Sequence, residues 1–215
     1  MGSRWVFDGH IAGIGTASGL RAVVGIWQES PFGPFADVMV QQASGHRLLL
    51  APTEDVAGFI STTYAFDDVT VTDLSARLGH GTLEVDADPL AISARLGGRA
   101  LLGRMLRTLP RSLAVHPGWL HAISPVAGIL SNGARTSGTA GSGRREYYGV
   151  SDLHHITSAV VSWDNIDAGA LAPIRPAVTF GFSSVPPRPS LARVRITVVE
   201  SGGTGDKYPS RQPGK

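Results

Sequence analysis

Thr82-Leu83-Glu84-Val85-Asp86-Ala87 alternates apolar and acidic side chains, so that Leu83 and Val85 share one face while Glu84 and Asp86 share the other. Period-two alternation of this kind is the signature of a half-buried antiparallel strand. Similar short apolar runs lie on either side, separated by turn signals: 10–16, 21–27, 36–40, 47–51, 69–72 and 90–96. They predict an antiparallel meander. Pro52-Thr53-Glu54-Asp55, followed by Val56, Phe59, Ile60 and Tyr64, predicts one short capped helix between the fourth and fifth strands.

After residue 99 the period changes. Leu102, Met105, Leu106, Leu109 and Leu113 share a helical face, and Arg104, Arg107 and Arg111 share another. With Trp119–Leu130 this predicts a helical hairpin. The Gly/Ser/Thr-rich residues 132–143 read as a surface loop. Residues 145–149, 156–163, 178–182 and 192–199 read as strands, with Ser151 or Asp152 capping a turn between the first two. The expected fold is α+β: a mainly antiparallel sheet, curled into a barrel-like cone around a cavity, with the helical hairpin on one side. Residues 1–200 form one β-rich domain and 201–215 a disordered tail.

Composition excludes several function classes. There is no cysteine, which removes disulfides, thiolate catalysis and cysteine-ligated metals. The net charge of +2 and the absence of a clustered basic face argue against nucleic-acid binding. No stretch reaches the ~18 apolar residues of a membrane span, and the start lacks a signal-peptide pattern. A soluble cytoplasmic protein is expected, with no cofactor and without a membrane surface as its main partner. Both lysines, Lys207 and Lys215, lie at the C-terminal end, and the other seventeen cations are arginines. No amine nucleophile is therefore available within the domain.

The run from Gly141 to His155 gathers the groups best able to carry chemistry. On a strand, Arg145 and Tyr147 share one face and Glu146 and Tyr148 the other. A guanidinium fork beside a phenol makes a receptor for a carboxylate, so Arg145 is the candidate anchor and Tyr147 or Tyr148 the candidate donor. An Arg–Glu pair with tyrosines at a rim is the plainer reading of the same residues. Glu146 and His154 are the candidate acid–base groups, His154 sharing a face with Asp152. Catalysis would need such a group, with a raised or near-neutral pKa, facing the cavity. No metal site is expected, because adjacent His154 and His155 point to opposite faces of a strand. The proline-stiffened turn 30–35 offers Phe32 and Phe35 as one wall of an apolar pocket. Gly13 and Gly15 are not followed by the helix that a phosphate-binding loop requires.

The order of elements, with a short helix after the strand ending HRLLLAPTEDV and a late strand RREYYG, is similar to that of the acetoacetate decarboxylase-like superfamily over residues 5–199. The resemblance implies a one-domain β-rich cone that holds a small carboxylic acid in an apolar cavity, within an oligomer. The decarboxylases of that superfamily use a Schiff-base lysine, and no lysine here precedes residue 207. The expected function is binding of a small, partly apolar carboxylate, with any catalysis being lyase-, isomerase- or cyclase-like and lysine-independent. The competing expectation is a non-catalytic interaction module, docking a protein or an anionic surface through the arginine-faced helix and residues 132–143.

Overall fold

The computed structural model describes residues 4–99, 137–139, 144–181 and 185–200. Its first half is the expected meander: β1 (Arg4–Thr16), β2 (Arg21–Glu29), β3 (Phe35–Gln41) and β4 (Arg47–Ala51), each antiparallel to the last. Helix α1 (Glu54–Ser61) follows, and the Thr53 side chain caps it by accepting from the Val56 amide at 3.3 Å. Glu54 and Asp55 in its first turn complement the helix dipole. The crossover through α1 returns the chain to β5 (Asp68–Val71) parallel to β4. That departs from the all-antiparallel meander, because a helix between two strands permits a parallel pair where a tight turn does not.

Strands β6 (Leu74–Gly79), β7 (Thr82–Ala87) and β8 (Leu90–Arg99) form a second meander. The β6–β7 turn uses His80 and Gly81, both at positive φ, as a two-residue hairpin requires. Among the described residues the chain continues through β9 (Ser137–Thr139), β10 (Arg144–Trp163), β11 (Ile166–Asp167), β12 (Leu171–Ala172) and β13 (Ser190–Glu200). All belong to one sheet ordered β5-β4-β3-β2-β1-β13-β10-β8-β7-β6, with β9 and β11 on β10 and β12 on β1.

The sheet curls as expected. One face of β1–β4, with Ile14, Val24, Val38 and Leu50 fully buried, packs against Leu83, Val85 and Ile92 of the second meander, filling the interior of the curl. The opposite face of β1–β3, together with Val194, Ile196 and Val198 of β13, carries a separate apolar cluster under α1, residues 173–181 and Val185. Gly13 allows that segment to close down: a Cβ there would stand 2.8 Å from the Ile174 side chain and 3.0 Å from Val185.

Three expectations are corrected. Residues 145–163 form no turn at Ser151 or Asp152, since β10 runs on through bulges near 150–152 and 154–158. Bulges let a twenty-residue strand bend with the curl without ending. Residues 178–181 are not a strand but part of the covering segment, where the Thr179 amide donates to Gln41 Oε1 at 2.9 Å instead of joining a ladder. The 132–143 segment is not loop throughout, because residues 137–139 pair with β10. The helical hairpin and the tail 201–215 lie outside the described residues. Among the described residues no helix is long and apolar enough to cross a membrane.

Candidate functional site

A cavity of about 70 Å³ lies between the second apolar cluster and its cover. That is several times the ~10–15 Å³ that one water occupies. Its floor alternates along three strands: Phe7 and Ile11 from β1, Val23, Gly25 and Trp27 from β2, and Phe35, Asp37 and Met39 from β3. Ile196 and Val198 of β13 form one side, while Ile60, Tyr64, Val178 and Phe180 supply the cover.

Asp37 is the acidic residue in this lining. It is 2 % exposed, and its Oδ1 accepts from Trp27 Nε1 at 2.8 Å. The β2–β3 register explains how a carboxyl fits here. Asp37 stands opposite Gly25, two residues before Trp27 on the same face. A Cβ at position 25 would overlap Asp37 Oδ1 and lie 2.6 Å from the indole nitrogen, so glycine makes the space that the carboxyl fills. Burial pushes the Asp37 carboxyl up to about 6, the Trp27 hydrogen bond only partly opposing the shift. This is the kind of group that acid–base work near neutral pH requires, and it was not among the sequence-derived candidates. Its signal was present in Ala36-Asp37-Val38-Met39-Val40, an acid inside an apolar run.

Of the sequence-derived candidates, Phe35 and His154 lie on different faces of the sheet. Phe35 lines the pocket, whereas Phe32, 37 % exposed, packs edge-on against Phe35 and Phe59 beside it. Arg145, Glu146, Tyr147 and Tyr148 lie in β10, opposite Val199, Val198, Thr197 and Ile196 of β13 respectively. Two of those partners, Val198 and Ile196, line the pocket.

His154 belongs to a polar cluster on the other face of β1 and β13. Its Nδ1 lies 3.2 Å from the Gly97 carbonyl oxygen and its Nε2 3.6 Å from Asp152 Oδ2. Because a carbonyl can only accept, Nδ1 carries the hydrogen in that bond. Arg193, across the register from Asp152, donates to Asp8 and to Gln28 Oε1, the latter at 2.7 Å. Burial, and then the Arg193 charge, lower the His10 pKa, while burial and Arg188 lower that of His155. Among the described residues no group of three or more His, Asp or Glu side chains is placed to hold a metal ion.

No protein-family model matches the chain. No curated protein matches it either. Among solved structures it is similar to the crystal structure of acetoacetate decarboxylase from Legionella pneumophila, with 10% identity over 96% of this chain and 88% of that one, at a TM-score of 0.43. The likeness carries no residue correspondence.

Proposed function

We propose that the pocket over β1–β3 binds a small, largely apolar molecule, and that any acid–base chemistry on that molecule runs through Asp37. The observation that carries this reading is the buried carboxyl set among apolar walls, in space cleared for it by Gly25. An ionised group is expensive to bury without a charge partner. Carboxyls kept beside a cavity at that cost are characteristic of functional sites. Lysine plays no part in this chemistry, in keeping with the absence of lysine before residue 207.

The sequence-derived ligand class, a small carboxylate, rests on Arg145. An anion entering the pocket would bring its charge up to Asp37 and would need Arg145 or a shared proton to offset it. A neutral or cationic ligand is served by the described lining alone. The test is a comparison of native and denaturing mass spectra of freshly purified protein, followed by a thermal-shift screen of small apolar compounds. A small-molecule adduct lost on denaturation, or a stabilising compound that fails to stabilise a pocket variant such as Val23→Trp, supports the reading. An apo mass together with no stabilising compound rejects it.

A further inference from the structure

Taking the pocket as a ligand site, as proposed above, we infer that its preferred ligand is a small apolar amine bound as its ammonium ion, with Asp37 as counter-ion and the rings of Phe7, Trp27 and Phe35 as walls. These three rings form one mutually packed group. Phe7 stands 5.6 Å from Trp27 at 67° and 6.5 Å from Phe35 at 87°, and Trp27 stands 6.4 Å from Phe35. Rings set at steep angles around a cavity offer it both faces and edges, and ring faces attract a cation within ~6 Å. The carboxylate needed to complete such a site is fixed by its bond to the Trp27 indole nitrogen, so the ring and the counter-ion are held by a single contact.

Charge selects among ligands of equal shape. The described lining holds no lysine, arginine or histidine. Arg21 starts the pocket face of β2, but its two terminal nitrogens donate to the Pro176 and Gln42 carbonyls at 3.0 Å each. Tyr64 is the other titratable group that the described lining turns toward the cavity. An ammonium ion therefore meets one opposite charge and, among the described lining residues, no competing cation, an alcohol meets a hydrogen-bond acceptor alone, and a carboxylate meets repulsion. Because burial sets Asp37 at about 6, the counter-ion is present above that pH and is lost as the pH falls through it.

Benzylamine, benzyl alcohol and benzoate share one aromatic body and differ in head group. Their binding to the full chain and to Asp37→Asn, measured calorimetrically at pH 7 and pH 5, tests the inference. The substitution keeps an oxygen for Trp27 and removes the charge. Benzylamine is expected to bind the native protein at least tenfold more tightly than benzyl alcohol at pH 7, with benzoate weakest. Its affinity should fall about tenfold by pH 5, following the loss of the ionised acid. Asp37→Asn should abolish the preference for the amine over the alcohol. Equal or tighter binding of the alcohol or of benzoate by the native protein overturns the amine assignment while leaving the pocket reading intact. Binding of none of the three rejects both. The native comparison decides the matter even if the variant does not fold.

Discussion

Replacing Asp37 by asparagine should stabilise the protein at neutral pH, and the size of the effect follows from burial. The carboxyl is raised from its ordinary value of 3.8 to about 6. The folded state therefore binds more protons than the unfolded state between those two values, and the acid's contribution to stability falls as pH rises through that window. Two pK units correspond to about 3 kcal/mol of destabilisation, fully expressed above pH 7 and almost gone at pH 4. The side-chain amide introduced by Asp37→Asn would lack a partner on its nitrogen side, an offset of about 1 kcal/mol that does not vary with pH. The stability difference between Asp37→Asn and the native protein should accordingly shrink by about 2 kcal/mol between pH 8 and pH 4. Urea unfolding of both proteins across that range, followed by near-ultraviolet circular dichroism, measures it. A difference that stays constant with pH would refute the claim that a buried, ionisable Asp37 is held at a raised pKa.

Three further outcomes follow from the same geometry. Gly25→Ala should lower stability by about 3 kcal/mol, the sum of overpacking and a weakened Trp27–Asp37 bond, read as a Tm loss of roughly 6–12 °C; an unchanged Tm would mean that the space opposite Asp37 is not needed. Trp27→Phe removes the donor that opposes the burial shift, so the Asp37 titration should move upward by about one unit or more, visible in a carboxyl carbon NMR titration. Arg21→Ala removes both bonds that tie Pro176 and Gln42 to β2 and should cost about 2–4 kcal/mol, with residues 173–181 becoming sensitive to limited proteolysis.

Strand identity was legible wherever local pattern decides it. The alternation of Thr82–Ala87 and the capped start at Thr53 are properties of a few consecutive residues, and both elements form as expected. Order within the sheet was not legible in the same way. That β13 lies between β1 and β10, or that β4 and β5 run parallel, depends on contacts between distant segments that no local pattern encodes. Strand β6 is an instructive omission, because Leu74-Ser75-Ala76-Arg77-Leu78 alternates as cleanly as β7 and is followed by a His80-Gly81 turn. The site divides along the same line. Phe35 could be named as an apolar wall from its place in a stiff turn. Asp37 gains its meaning only from standing opposite Gly25 and beneath Trp27, a register set by the length of the connection between two strands. His154 and Asp152, two residues apart in a regularly paired stretch of β10, come within 3.6 Å, as residues that share a strand face can.

The most direct test of a ligand site over β1–β3 is a methyl NMR titration of the isoleucine-, valine- and leucine-labelled protein with benzylamine. Ring currents from a bound probe should shift the methyl groups of Ile11, Val23, Ile196 and Val198, which line the pocket, and leave those of Ile14, Val24 and Leu50, inside the curl, where they were. Shifts confined to the second set, or none in either with benzylamine, benzyl alcohol and benzoate alike, would contradict the assignment of the pocket as the functional site.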